Sequence, residues 1–157
     1  IADSSYSVLN RRDFYVENAL VNRGKGRNIG VDITLERYLN KGLYYMVTAS
    51  IFDSKYYGGD RKWRNTLYNR NFIVNVLGGK EWMVGRDRQN MFSVNFKITL
   101  QGGDRYAPVD EVATLLDPDR EVQYDETKAF SKQFSPMFIT NFSVGYKINR
   151  KKVSHEF

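Results

Sequence analysis

The sequence predicts an all-β protein, an antiparallel up-and-down meander that forms part of a transmembrane β-barrel. Two patterns lead to this prediction. Apolar and polar residues alternate with a period of two along most of the chain, and short and long connections between these runs follow one another in strict alternation. All three prolines lie between residues 108 and 136, so they interrupt no run outside that stretch.

The alternating runs are interpreted as strands, most of them roughly nine to twelve residues long, which exceeds the usual strand length. In the clearest run, Phe92, Val94 and Phe96 alternate with Ser93, Asn95 and Lys97. The strands are expected near residues 28–37, 43–53, 71–84, 91–101, 137–148 and 153–157. A further strand at 12–21 has a poor pattern of alternation, and Glu111–Leu116 is the one weak helix candidate. The two adjacent glycines at 78–79 predict a bend or bulge within a strand.

The connections between the strands fall into two classes. Residues 38–42, 86–90 and 149–152 are short polar or basic turns, whereas residues 53–70 and 102–135 are long loops. A membrane barrel has short turns at one rim and long loops at the other, and strands of about 9–11 residues cross a bilayer when tilted. The loop pattern therefore favours a membrane barrel.

Aromatic residues on the apolar side of the strands collect near the strand ends. Those near short turns are Tyr45, Trp82, Phe92 and Tyr146, and those near long loops are Phe72 and Phe138. Aromatic side chains at two levels are typical of the two interfaces of a bilayer. A soluble β-sandwich or small-barrel ligand-binding module would also have one apolar face, which would then be a core, and it remains the alternative.

The composition limits the chemistry that the chain can perform. It has 157 residues, a formal charge of +6 and no cysteine, which excludes disulfide scaffolds, thiol catalysis and zinc sites with cysteine ligands. No stretch approaches the ~20 apolar residues of a membrane-spanning helix. Because the chain begins at Ile1 without a signal-peptide pattern and ends inside an alternating run, we expect residues 1–157 to be a fragment of a single barrel domain.

We expect no catalytic site, no metal site and no cofactor. His155 is the only histidine and lies far in sequence from any notable serine, so an outer-membrane enzyme with a Ser–His pair is the weaker alternative. Asp117, Asp119 and Glu121 have the spacing of a calcium loop, but Val122 and Lys128 replace the glycine and the glutamate that an EF-hand requires.

The long loops contain basic residues interleaved with aromatic ones, a mixture that suits stacking on sugar rings or contact with an anionic ligand. No RNP-type motif accompanies it, so nucleic acid is not expected as a partner. The candidate ligand-binding residues are Tyr56, Tyr57, Arg61, Trp63, Arg64 and Tyr106.

Several segments together resemble the C-terminal barrel of TonB-dependent outer-membrane receptors. The first, GKGRNIGVDITLER, is similar to a strand that runs down from an extracellular loop in these receptors. The similar segments are residues 24–37, 50–56 (SIFDSKY), 63–66 (WRNT), 75–82 (NVLGGKEW) and 101–110 (QGGDRYAPVD). The resemblance covers roughly residues 18–157.

This resemblance implies a barrel of about 22 strands in the bacterial outer membrane. Such receptors import a scarce ligand: a siderophore, cobalamin, an oligosaccharide or a peptide. The implied partners are outer-membrane lipid, the TonB complex through an N-terminal plug, and a possible surface lipoprotein. The chain has neither the plug nor a TonB box, so we expect it to be a late portion of the barrel.

In that topology, the polar side of each strand would line the hydrated lumen. The predicted lumen-facing residues are Asp32, Thr34, Glu36, Asn95, Lys97 and Thr99. Placing Lys97 or Glu36 against lipid instead would cost about 2–4 kcal/mol for the lysine and less for the glutamate.

Overall fold

The computed structural model describes residues 5–10, 20–150 and 153–157, and this part of the chain is mostly antiparallel β-sheet. The predicted all-β, antiparallel class is therefore confirmed. The large sheet has the strand order β1 (Lys25–Asn40), β2 (Leu43–Tyr57), β4 (Phe72–Val84), β5 (Asn90–Gln101), β8 (Met137–Asn149) and β9 (Ser154–Glu156). In addition, β3 (Trp63–Asn65) pairs with β2, and β6 (Arg105–Tyr106) forms a separate two-stranded sheet with β7 (Lys132–Gln133). Among the described residues, the large sheet is open, with β1 and β9 at its two edges.

The elements follow one another along the chain with only one α-helix in the described part. They are β1 (Lys25–Asn40), β2 (Leu43–Tyr57), β3 (Trp63–Asn65), β4 (Phe72–Val84), β5 (Asn90–Gln101), β6 (Arg105–Tyr106), α1 (Glu111–Leu116), β7 (Lys132–Gln133), β8 (Met137–Asn149) and β9 (Ser154–Glu156). Short 3₁₀ turns lie at Val8–Asn10 and Glu126–Lys128. No helix in the described residues has the length and hydropathy needed to cross a membrane.

The sequence-predicted strands lie within or close to observed ones, but the first two are longer than expected. β2 continues to Tyr57, so the loop predicted at 53–70 begins with strand residues and then contains β3. Helix α1 has the predicted bounds because the Asp110 side chain caps it by accepting a hydrogen bond from Ala113 N at 2.9 Å. The strand predicted at 12–21 falls largely on residues 11–19, outside the described residues.

The chain divides into two compact units. The loop unit comprises Ile1–Val31, Ile51–Phe72 and Gly102–Pro136, and it contains both long links. The turn unit comprises Asp32–Ser50, Ile73–Gln101 and Met137–Phe157, and it contains the three short turns.

In the turn unit, continuous ladders define two faces of the sheet. β4 pairs with β5 from Ile73↔Gln101 to Val84↔Asn90, and β5 pairs with β8 from Met91↔Lys147 to Gln101↔Met137. Residues directly opposite each other share a face. One face therefore carries successive cross-strand rows: Trp82–Phe92–Tyr146, Lys80–Val94–Val144, Gly78–Phe96–Phe142, Val76–Ile98–Thr140 and Val74–Leu100–Phe138. We call this the apolar face.

The glycine pair at 78–79 was predicted to produce a bend or a bulge, and the pairing of β4 with β5 contains no bulge there. The ladder passes through Gly78↔Phe96 and Gly79↔Asn95 without an extra residue. The absence of a side chain at Gly79 makes room for the ring of Tyr44. A Cβ at position 79 would collide with that ring and with Asn95 Oδ1. Across this gap the Tyr44 hydroxyl donates to Asn95 Oδ1 at 2.9 Å.

The apolar face of the turn unit is uncovered. Phe142 is 71% exposed, Phe138 65% and Val144 54%. Among the described residues, the one buried hydrophobic side chain is Tyr56, which belongs to the loop unit. The sheet of the turn unit is thus a single layer without a hydrophobic core of its own.

Candidate ligand-contact surface

An exposed cluster of two aromatic rings and one guanidinium lies where β2 turns back into β3. The turn is closed by Gly58 N donating to Lys62 O at 3.2 Å, and it places Tyr57 directly opposite Trp63. Their ring centroids are 5.4 Å apart, and Arg27 Cζ lies 5.6 Å from the centroid of Trp63, which is 48% exposed. We call Arg27, Tyr57 and Trp63 the Trp63 cluster.

This cluster can stack against a planar or sugar ring and can attract an anion. The structure brings together two of the predicted ligand residues, Tyr57 and Trp63. Arg27 was missed: it stands in a basic stretch immediately before the strand predicted at 28–37, and the structure places it within β1. Its guanidinium also lies 3.7 Å from a carboxylate oxygen of Asp53, which orients it beside the ring.

Tyr56 does not belong to this surface, and its prediction as a ligand contact is corrected. Its side chain is fully buried, and its hydroxyl donates to Ser5 O at 2.8 Å. The ring meets Phe130 edge-on with centroids 6.2 Å apart. Burial raises the pKa of Tyr56 to about 12, so the hydroxyl remains a neutral donor inside the loop unit.

Arg64 is likewise a structural residue. Only 8% of it is exposed, and its two terminal nitrogens donate to the two carboxylate oxygens of Asp60 at 2.8 and 2.5 Å. The same guanidinium reaches Thr127 O at 3.4 Å. The hydrogen bonds to Arg64 hold the pKa of Asp60 below its usual range, and those to Asp60 raise the pKa of Arg64. Arg64 therefore joins the two long links through hydrogen bonds to Asp60 in one link and to Thr127 in the other.

The remaining two predicted ligand residues occupy different parts of the loop unit. Arg61 is exposed in the turn between β2 and β3, in the left-handed region with a φ of 61°. Tyr106 pairs with Lys132 in the small β6–β7 sheet and stacks on Phe134 with ring centroids 4.4 Å apart. One face of the Tyr106 ring is thereby occupied within the chain, while 36% of the residue remains exposed.

A cavity of about 530 Å³ lies beside Tyr57, and we call it the Tyr57 pocket. Its described lining contains two bases, Arg23 and Lys25, and no acidic residue. The other lining residues are mostly apolar, small or aromatic: Tyr6, Ser7, Val8, Leu9, Leu20, Val21, Asn22, Gly24, Gly26, Tyr57 and Gly59. A pocket of this volume suits a small ligand, and its charge favours an anionic one.

A buried polar network holds the long links of the loop unit in place. Asn69 is fully buried, and its amide nitrogen donates to Asp53 Oδ1 at 3.0 Å and to Asn65 Oδ1 at 2.9 Å. Its carbonyl accepts from Arg105 Nε at 2.8 Å, and Arg105 Nη2 also reaches Asn71 Oδ1 at 2.7 Å. The two predicted long loops are therefore joined to each other by hydrogen bonds beneath the Asp53 carboxylate that Arg27 of the Trp63 cluster approaches.

Three of the predicted lumen-facing residues, Asn95, Lys97 and Thr99, share one face of β5. Asn95 Nδ2 donates to Ser143 Oγ at 3.3 Å, and Thr99 Oγ1 donates to Asn75 Oδ1 at 2.8 Å. Asp32, Thr34 and Glu36 alternate along β1 and are exposed. The side of β5 opposite the apolar face thus carries hydrogen bonds between strands.

The other chemically notable residues form no metal-binding cluster in the described part of the chain. No three metal-ligating side chains come together there. The Asp117 carboxylate accepts from Asp119 N at 2.9 Å and from Gln123 Nε2 at 2.7 Å, which makes it the centre of a loop turn. His155 lies in β9 opposite Ile148, with its ring 6.4 Å from that of Phe157.

Comparison of the chain with protein-family models, with curated proteins and with solved structures found no match.

Proposed function

We propose that the chain forms part of a TonB-dependent receptor in the bacterial outer membrane, where it contributes strands to the barrel and two ligand-contacting links. The observation that carries this proposal is the uncovered apolar face of the turn unit. Its rows combine phenylalanine, valine, leucine and isoleucine on three paired strands. Apolar patches of this extent are typical of surfaces that meet a membrane or another protein.

The dimensions of the apolar face support a bilayer as its neighbour. From the row of Phe92 to the row of Leu100, β5 contains nine residues, which matches the length that a tilted strand needs to cross a membrane. The row Trp82–Phe92–Tyr146 ends this band near the short turns, with the first two ring centroids 5.7 Å apart. Aromatic rings at that level suit the interface between headgroups and hydrocarbon.

The opposite face supports a hydrated lumen. Asn95, Ser143, Thr99 and Asn75 are linked there by hydrogen bonds, and Lys97 stands among them, opposite Asn141. Reversing the two faces would place Lys97 in lipid at a cost of about 2–4 kcal/mol. The polar face therefore suits the interior of a barrel that opens to water.

The ligand would meet the loop unit at the Trp63 cluster and the Tyr57 pocket. Arg23 and Lys25 in the pocket, and Arg27 beside Trp63, favour a ligand with negative charge and with rings or apolar groups that can stack. In this proposal, energy for uptake comes from the TonB complex through a plug supplied elsewhere in the receptor, and a surface lipoprotein is a further possible partner.

Single cysteines test this proposal because the chain has none of its own. Val94→Cys and Asn95→Cys place one label on each face of β5, and each labelled chain is reconstituted into liposomes that contain a lipid-confined quencher. We expect quenching at position 94 and little at position 95. Absence of quenching at both positions, in a chain that stays monomeric in plain buffer, would instead support the soluble β-sandwich or small-barrel module.

A further inference from the structure

One lysine stands on the apolar face of the turn unit. Lys80 in β4 lies directly opposite Val94, which in turn lies opposite Val144. It shares this face with Trp82, two residues further along the strand. The Lys80 ammonium donates to Lys41 O, in the turn between β1 and β2, at 2.9 Å. The aliphatic stem is thus on the apolar face while the charged head is at the level of a short turn.

The short turns themselves are rich in positive charge. Lys41, Arg86, Arg88 and Arg150 are exposed there, with Asp87 as the acidic residue among the described turn residues. The nearest carboxylate in sequence to Lys80 is that of Glu81, which projects to the other face because it pairs with Ser93. The apolar face therefore ends in a basic border without an acid beside Lys80 on that face of β4.

We propose that this border binds the headgroups of anionic phospholipids, with a lipid phosphate at the Lys80 ammonium. An ammonium has three donors, and Lys41 O accepts one of them, so an acceptor is needed for the others. Trp82 adds an indole N–H on the same face, at the depth where a phosphate lies in a bilayer. This inference rests on the proposed function, since it requires the apolar face to meet lipid.

Charge decides which phospholipid is favoured. A zwitterionic headgroup brings its own cation close to the phosphate, whereas a phosphatidylglycerol headgroup carries net negative charge. A basic side chain near a membrane surface favours anionic lipid by a factor of about five. The preference should weaken at high salt, because the Debye length falls from about 10 Å at 0.1 M to about 3 Å at 1 M ionic strength.

Tryptophan quenching by brominated lipid measures this preference at the site. The chain has two tryptophans, so Trp63→Phe leaves Trp82 as the only reporter. The complete chain is reconstituted into phosphatidylcholine vesicles in which either brominated phosphatidylglycerol or brominated phosphatidylcholine supplies the same bromine content. We expect phosphatidylglycerol to quench Trp82 as if it bound about fivefold more tightly than phosphatidylcholine at low salt.

Three substitutions locate the effect, and two of them, Lys80→Gln and Lys97→Gln, remove the same charge from opposite faces of the sheet. Lys80→Gln should reduce the preference to about one, and Lys80→Arg should retain it and also shows that the position tolerates substitution. Lys97→Gln removes the same charge from the opposite face and should leave the preference unchanged. Equal quenching by both lipids in the parent chain, or an equal loss in the Lys80→Gln and Lys97→Gln variants, overturns the inference. Absence of quenching by either lipid would overturn the proposed membrane function itself.

Discussion

The Tyr44 hydroxyl donates a 2.9 Å hydrogen bond to Asn95 Oδ1, which lies two strands away in the sheet. The intervening strand carries Gly79 directly opposite Asn95, and the absence of a side chain there allows the ring of Tyr44 to pass over the strand. Asn95 continues the link by donating to Ser143 on β8 at 3.3 Å. One glycine thus permits a polar connection that spans four strands of the turn unit.

We expect Gly79→Ala to destabilise the turn unit by about 1–3 kcal/mol, because the added methyl group displaces Tyr44 from Asn95. Tyr44→Phe, which removes only the hydroxyl, should cost about 1 kcal/mol. Unfolding in detergent micelles, followed by far-ultraviolet circular dichroism, measures both effects. In a double-mutant cycle, Tyr44→Phe should have little further effect once Gly79→Ala is present. Fully additive losses would show that Gly79 does not act through this hydrogen bond.

The strand pattern was predictable from sequence because a period of two reflects the backbone itself. The run from Phe92 to Leu100 alternates so regularly that its two faces could be assigned without knowing its neighbours. The short helix Glu111–Leu116 was also recognisable from local sequence, and Asp110 supplies its cap. The role of Gly79 was not predictable, because it depends on a tyrosine and an asparagine from two other strands.

The candidate ligand residues show the same limit. Tyr56 and Tyr57 are adjacent and chemically identical, but β2 continues through both, so their side chains project to opposite sides. Loop composition therefore predicted two accessible tyrosines where one is buried. The sequence could not distinguish Arg64 from Arg61, because both arginines lie close to Asp60 in the same link. Only the fold shows that Asp60 forms its two hydrogen bonds with Arg64.

The Asp60–Arg64 pair should make the loop unit sensitive to acid. Because the pKa of Asp60 lies below its ordinary value of 3.8 in the folded chain, the pair contributes stability above that value and loses it as the pH falls through the folded pKa. Asp60→Asn leaves the Arg64 guanidinium without its carboxylate and should cost about 2 kcal/mol at pH 7.

Thermal unfolding at a series of pH values between about 2 and 7 measures the contribution of the Asp60–Arg64 pair to stability. The difference between the parent chain and Asp60→Asn should shrink as the pH falls below the usual aspartate range. Asp87→Asn is the matched control, since Asp87 is exposed in a short turn. A difference that stays constant down to the lowest pH would contradict a contribution from the ionised carboxylate.

Buried Tyr56 should make the same unit sensitive to alkali. Its pKa is raised from 10 to about 12, so the unfolded chain releases the hydroxyl proton before the folded chain does. The stability contribution is complete below pH 10 and declines as the pH rises through 12. Tyr56→Phe should cost about 1 kcal/mol at neutral pH, because Ser5 O loses its donor.

Denaturant unfolding at a series of alkaline pH values tests this expectation. The gap in unfolding free energy between the parent chain and Tyr56→Phe should narrow above the ordinary tyrosine pKa, because the phenylalanine variant has no hydroxyl to titrate at this position. Parallel pH dependence of the two proteins would mean that the Tyr56 hydroxyl is accessible to water in the folded chain.

The charge of the Tyr57 pocket should discriminate between ligands of the same shape. We expect Arg23→Gln with Lys25→Gln to weaken binding of anilinonaphthalene sulfonate, an anion with an aromatic body, by about fivefold to thirtyfold, because two charges at about 0.5–1 kcal/mol each contribute about 1–2 kcal/mol. Binding of the uncharged N-phenylnaphthylamine should change little, since the apolar lining from Leu9 and Leu20 is intact. Fluorescence titration in a non-ionic detergent, which also covers the apolar face, measures both affinities.

Arg86→Gln with Arg88→Gln removes the same charge from a short turn and is the matched control. An equal loss of sulfonate binding in this control would show that overall charge, rather than the pocket, attracts the anion.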